Sequence, residues 1–195
     1  MAYHIYHTEA LILGGLMRGE GDRLLYCYTK ELGFILVHAK SVREGRSKLR
    51  YALQTFAHTH IDLVSGKSGW RLVSARPIDS FRESWDHAEK RRILARHAQL
   101  LRRLIQGEER HEKLFDDVLS SVYFLHSLTK DESLSDVELL MVVRLLDELG
   151  YWGKKEKFAP LFHDEAWNYE SLEYVRLVRP ELLLEVNNSL QSSQL

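Results

Sequence analysis

Residues 33–56, GFILVHAKSVREGRSKLRYALQTF, decide the fold. Phe34-Ile35-Leu36-Val37 has the apolar and β-branched character of a buried strand. Lys40, Arg43, Arg46, Lys48 and Arg50 then place five cations in eleven residues, offset only by Glu44. Ser47 to Leu53 reads as a short helical piece, and Phe56 opens the next strand. The segment is therefore strand, basic loop, short helix, strand.

Working outward, the rest of residues 1–80 has the period of strands. Residues 4–13 (HIYHTEALIL) form a first strand that ends at the glycine-rich link GGLMRGEG. Residues 22–29 (DRLLYCYT) alternate Leu24, Tyr26 and Tyr28 with Arg23, Leu25 and Cys27. Lys30 to Gly33 form a tight turn, with glycine free to take positive φ. The third strand covers 34–40. Residues 56–64 and 70–76 flank Ser65-Gly66-Lys67-Ser68-Gly69, a hairpin with a five-residue glycine loop. Pro77, lacking an N–H, ends the last strand. Five strands with a helical insertion between the third and fourth predict an OB-fold barrel, closed so that no sheet edge is left bare. Strand count alone does not separate it from an SH3-like barrel.

From Glu83 the period becomes helical. Leu94, His97, Ala98, Leu101, Leu104 and Ile105 share one arc of a helix over 84–106, stopped by Gly107. A second helix covers 111–128. A third starts at Ser135, with Glu138 completing a capping box, and ends at Gly150. A last helix starts at Pro180, a residue suited to the first helical position, and runs to about Leu190. The fold class is thus α+β, with a five-stranded OB-fold domain over 1–80 and a helical bundle over 81–195.

Charge divides along the same line. Residues 1–80 carry 11 Lys and Arg against 7 Asp and Glu, and residues 81–195 carry 16 against 21. The barrel is the candidate nucleic-acid-binding domain and the helical half the candidate protein-interaction domain. No apolar run reaches the ~20 residues of a membrane helix, and the N-terminus has no signal-peptide pattern. With Cys27 as the one cysteine, a cytoplasmic protein without disulfides is expected.

The basic run carries the chemistry. Lysine and arginine neutralise phosphates and release condensed counterions. Aromatic faces beside a cationic groove stack unpaired bases. Lys40, Arg43, Arg46, Lys48 and Arg50 are therefore the candidate nucleic-acid contacts, with Arg23 as an addition and Tyr51 and Trp70 as stacking residues. The alternative is a solvated loop with its aromatics in the core. Arg91, Arg92, Arg96, Arg102 and Arg103 fall within an arc of roughly 140° on the first long helix and form a candidate second basic face. Pairing with Glu83, Glu89, Glu108 and Glu109 on a solvated surface is the preferred reading of that face. His58, His60, His4, His7 and His163-Asp164-Glu165 are too scattered for a zinc site, so no metal is expected. Phosphate-binding loops, a dinucleotide fingerprint and a nucleophile elbow are all missing from the sequence. No enzymatic activity and no cofactor are expected.

Gly21-Asp22-Arg23-Leu24, Thr29-Lys30-Glu31-Leu32-Gly33, Ala39-Lys40, Ser47-Lys48-Leu49-Arg50 and Leu53-Gln54-Thr55-Phe56 resemble, in order and spacing, the first domain of the RecO family of recombination mediators. Glu138-Leu139-Leu140 and Arg144-Leu145-Leu146-Asp147-Glu148-Leu149-Gly150-Tyr151 resemble that family's central helix and its glycine stop. The resemblance covers about two thirds of the chain. It implies an OB-fold followed by helices, DNA binding, strand annealing and recombinase loading, and a cytoplasmic, nucleoid-associated location. It also implies two partners, RecR and the acidic tail of single-strand-binding protein. Two features depart from the family. Its four-cysteine zinc module is replaced by Trp152-Gly153-Lys154-Lys155-Glu156-Lys157-Phe158-Ala159-Pro160, and the chain is short. The reading is a non-enzymatic DNA repair protein. The alternative is an adaptor that kept the fold and lost DNA.

Overall fold

The computed structural model describes residues 4–42, 49–81, 86–105, 107–129, 133–153, 155–162 and 166–192. By its internal contacts the chain divides into two compact units, Met1–Arg82 with Ile105–Phe115, and Glu83–Leu104 with Asp116–Leu195. The expected boundary at 80/81 is corrected in one respect. Residues 105–115, assigned to the helical half by their sequence position, pack with the strands.

The first unit is built on strands β1 (Ile5–Arg18), β2 (Asp22–Thr29), β3 (Gly33–Ala39), β4 (His58–Gly66) and β5 (Gly69–Asp79), with the short helix α1 (Leu49–Ala52) between β3 and β4. They close into a barrel in the order β1-β2-β3-β5-β4. All pairings are antiparallel except β3 with β5, which run parallel through Val37↔Trp70 and His38↔Arg71. This is the OB-fold topology. β1 closes the barrel because its first half pairs with β4 and its second half with β2. The core follows from alternation: Ala10, Ile12, Leu25, Cys27, Ile35, Val37, Ile61 and Leu63 point inward, and Ala52 and Leu53 of the α1 segment pack against them.

Three strand limits differ from the sequence expectation, each for a local reason. β1 does not stop at residue 13 but runs through the glycine link to Arg18. The two glycines absorb a bulge between Ile12 and Gly15. Gly14 has φ +119°, and a Cβ on Gly15 would lie 2.6 Å from the Leu24 carbonyl oxygen. β5 continues past Pro77, which pairs with Thr59 of β4. On the side of β3 the pairing is confined to Trp70 and Arg71, so the β3 ladder does not reach Pro77. The β4–β5 hairpin is tighter than expected, with Gly66 opposite Gly69.

The second unit contains α2 (Ala88–Leu104), part of α3 (Glu112–Ser127), α4 (Leu134–Glu148), a 3₁₀ segment (Glu156–Leu161) and α5 (Tyr169–Ser192). α4 buries residues around much of its circumference, including Val137, Leu140, Val143 and Leu146. Its start is not the expected capping box. Ser133 precedes the helix without a side-chain cap, and Glu138 pairs instead with Arg96 of α2. Its end is as read. The N–H of Gly150 (φ +76°) donates to the Asp147 carbonyl at 2.9 Å and that of Tyr151 to Leu146 at 2.8 Å, a Schellman turn. α5 begins eleven residues before Pro180, capped by Asn168, whose side-chain oxygen accepts from the Ser171 N–H at 2.9 Å. Pro180 is internal to it. After the glycine stop, the Trp152 ring packs at 5.7 Å from Phe158 and 6.2 Å from Phe162. An aromatic cluster thus holds a segment that has no cysteine to bind zinc. None of the described helices is long and apolar enough to cross a membrane.

Candidate nucleic-acid interface

The inward alternation of Leu25, Cys27, Ile35 and Val37 turns Leu24, Tyr26 and Tyr28 of β2 and Phe34, Leu36 and His38 of β3 to the outer face. Tyr28 is fully buried there, its ring 5.5 Å from Phe115. Tyr26 and Phe34 are half-buried and stacked, with planes 12° apart and centroids 6.3 Å apart. Leu36, opposite Tyr26, is 44% exposed. Lys40 follows β3 and is exposed, and Arg71, also exposed, lies across from His38.

The predicted contacts divide into three groups. Arg43, Arg46 and Lys48 lie outside the described residues, and Arg50 belongs to α1. Lys40 and Tyr51 are at the surface, Tyr51 with 63% of its area exposed. Arg23 is tied into the barrel end, its Nη1 donating to the Leu53 carbonyl at 2.9 Å. Trp70 requires a correction. It is 8% exposed, its indole N–H donates to Glu108 at 2.9 Å, and Tyr6 packs edge-on at 4.9 Å. It belongs to the core cluster, so its faces are not open for stacking.

On α2 all five arginines are exposed. Arg92 donates to Glu89 at 3.0 Å, and Arg96 reaches both Glu89 at 3.4 Å and Glu138 at 2.8 Å. The Arg92 hydrogen bond draws the Glu89 carboxyl below the ordinary glutamate range, and Glu138 raises Arg96. Arg92 and Arg96, two of the five, are therefore charge-compensated within their own unit.

The outer face of β1 and β4 is polar. His7 Nδ1 lies 2.6 Å from Asp62, which also accepts from Ser74. The Ser74 and His7 hydrogen bonds hold Asp62 low. His58, beside Glu9 at 3.1 Å, is pushed below the usual imidazole value by burial. Serine here donates to the carboxylate rather than to histidine, so the trio is not a nucleophile with its base. Among the described residues no group of three His, Cys, Asp or Glu side chains is placed to hold a metal. Cys27 is buried in the barrel, its thiol pushed up to about 12 by desolvation, and is unreactive as a nucleophile.

Sequence reasoning did not place Phe34, Leu36 and Arg71 in the site. The signal was the alternation of β3 itself, in which an all-apolar run still has two faces. What the barrel offers is a half-open aromatic surface with cations beside it, suited to a polyanion that carries flat rings.

Comparison with known proteins is consistent with this geometry. Residues 1–81 match the family model described as "Recombination protein O N terminal". The chain is 31% identical over 147 residues to the DNA repair protein RecO of Desulfitobacterium hafniense, covering 75% of this chain and 52% of the relative. It is 32% identical over 147 residues to RecO of Heliobacterium modesticaldum, with the same coverage. It is 29% identical over 156 residues to RecO of Clostridium novyi, covering 78% and 59%. The chain spans about half the length of the curated relatives it matches.

Proposed function

We propose that the chain is a member of the RecO family, a DNA repair and recombination protein that binds DNA without catalysis, anneals complementary strands and assists recombinase loading; the match of its first 81 residues to that family's N-terminal model and its similarity to RecO proteins support this reading. The observation that carries this reading is the coincidence of two things. The segment matching the family model is the segment that forms the OB barrel, and the basic run interrupts that barrel between β3 and β4.

The mechanism is charge screening. Two strands held on one cationic surface repel each other less and can pair, and no nucleotide is consumed. Lys40, Arg43, Arg46, Lys48 and Arg50 supply the charge, and Tyr51 is the candidate stacking residue. RecR and the acidic tail of single-strand-binding protein are the protein partners, and the protein works on the nucleoid in the cytoplasm. The barrel is the DNA-binding domain and the helical unit the protein-binding one.

The test is fluorescence anisotropy of a labelled single strand titrated at several salt concentrations. Log affinity should fall linearly with log salt, with a slope of about −0.7 per phosphate neutralised. Changing Arg43, Arg46 and Lys48 together to Glu should reduce the slope and leave the circular-dichroism spectrum unchanged. Absence of binding at low salt would overturn the reading.

The second reading is a protein-interaction adaptor with an OB-fold that has lost DNA. It is favoured by the compensated arginines of α2 and by Leu177 and Leu184 of α5, which are 77% and 64% exposed. Capture of RecR by nuclease-treated protein that has no DNA affinity would select it.

A further inference from the structure

We infer that the exposed stripe of α5 is a self-association surface. A second copy of the chain docks on it antiparallel, Leu177 of each copy against Leu184 of the other.

α5 has two opposite faces. With about 100° between successive residues, Val175, Leu182 and Val186 lie on its buried stripe. Across the helix from them, Glu173, Leu177, Leu184 and Asn188 form an exposed stripe. Leu177 is the most exposed large apolar side chain among the described residues, and Leu184 also has most of its area in water. Seven residues apart, the two leucines sit two turns from each other along one line and make a single apolar seam. Removing that seam from water is favourable, and within its own chain it remains exposed.

The order of the stripe says what docks. A two-fold axis between Pro180 and Glu181 carries Leu177 onto Leu184, Glu173 onto Asn188 and Glu170 onto Gln191. Any regular helix stripe is close to symmetric in spacing, so the residue types decide. An isologous interface sets a patch against itself, and the patch must therefore be complementary under its own axis. This one is. Leucine meets leucine, and each carboxylate meets an amide able to donate to it. A parallel pairing would instead set Glu173 against Glu173 and Glu170 against Glu170. Glu181, beside the axis, does not repel its copy because Lys157 of its own chain pairs with it. Arg176 and Arg179 at the flank are likewise held by Asp136. Two leucines from each copy bury less than the ~1,000 Å² of a firm interface, so the dimer is weak and forms with rising concentration.

The experiment is sedimentation equilibrium of the full chain, freed of nucleic acid, over about a hundredfold range of concentration. It should show a monomer–dimer equilibrium. Leu177→Glu and Leu184→Glu, both on a solvated face, should each weaken the dimer by at least about tenfold. Asn188→Lys places an ammonium against Glu173 twice per dimer and should tighten it by about threefold, whereas Asn188→Glu should loosen it by as much. Leu177→Cys and Leu184→Cys read the register. Mixed and oxidised, the two single variants should link as a heterodimer. Neither should link to itself, because the axis leaves like positions about 10 Å apart along the helix. Cys27 is buried and takes no part. A chain that stays monomeric throughout overturns the inference and leaves the stripe to a different partner. So does a dimer indifferent to both glutamate variants, or a cysteine variant that links to itself. Should a glutamate variant lose its circular-dichroism spectrum, the Asn188 variants and the cross-linking still decide.

Discussion

His97 sits on the buried face of α2, with neither ring nitrogen meeting a partner among the described residues. Desolvation alone pushes its pKa down from 6.5 to about 4. As pH falls through this window the unfolded chain takes up the proton first, so stability is full above 6.5 and is lost toward 4. The loss approaches roughly 3 kcal/mol, at about 1.4 kcal/mol per pH unit. His97→Leu should remove it and stabilise the protein by about 1–3 kcal/mol at neutral pH, since an unsatisfied buried polar group is gone. Urea unfolding at pH 7.5 and 4.5 checks both. The variant should lose distinctly less stability between the two than the parent does, and an equal loss would remove His97 as the cause. Its burial was legible, because 97 falls on the apolar arc with Leu94 and Leu101. Its lack of partners was not, because that depends on what the facing helices supply. Trp70 shows the converse. Its composition fits a stacking platform, but its place in the alternation of β5, set by pairing with Val37, turns the ring inward. Arg144 is a third case. In sequence it is one cation in a helix that otherwise reads as core. In the structure it is buried, donating to the Leu161 and Ala166 carbonyls and lying 4.6 Å over the Trp167 ring. Its role is to fasten the chain after α4.

At the level of elements, periodicity located the strands and helices well, and it failed where a single residue was given too much authority. Glycines 14 and 15 mark a bulge in a continuing strand, because β2 lies too close for any side chain at 15. Pro77 continues a strand because the β3 ladder does not reach it. Pro180 is the most instructive, since α5 runs eleven residues before it. What carries the helix through is tertiary. Leu172, Val175, Val178, Leu182 and Val186 form a buried stripe on both sides of the proline. Arg176 and Arg179 hold the buried Asp136 at 2.7 and 2.5 Å. The proline still removes one backbone hydrogen bond and crowds the preceding turn. Pro180→Ala should therefore stabilise the protein by about 1–2 kcal/mol, less the smaller entropic advantage that proline gives by restricting the unfolded chain. In a thermal melt that is a rise of a few degrees. An unchanged or lower midpoint would show that the proline imposes no net cost on α5. Lys90 shows an element held from outside in the same way. Its ammonium donates to the carbonyls of His126 and Leu128 at 2.8 and 2.6 Å, satisfying the C-terminal end of α3 from α2.

For the molecule as a whole, the charge division between residues 1–80 and 81–195 and the change of period at the same place suggest two units. The return of residues 105–115 to the barrel was not legible. It rests on long-range contacts, Glu108 to Trp70 and Phe115 to Tyr28, that no local pattern encodes. The division bears directly on the DNA path proposed above. The arginines of α2 lie in the unit that does not contain the barrel, and Arg92 and Arg96 already have carboxylate partners. A bound strand that needed them would have to displace Glu89 and Glu138. Lys40 and Arg71 are exposed and belong to the barrel unit. Saturating the full chain with a dT oligomer at about 100 times its Kd should therefore stabilise the barrel unit selectively, by about 2.7 kcal/mol. Amides of β2 and β3 that exchange only when the barrel opens should slow by about a hundredfold, while those of α2 and α4 keep their rates. Hydrogen exchange read by mass spectrometry of peptides from each unit measures both together. Equal slowing in α2 would show that the two basic faces form one path and that the ion pairs to Glu89 and Glu138 open when DNA binds.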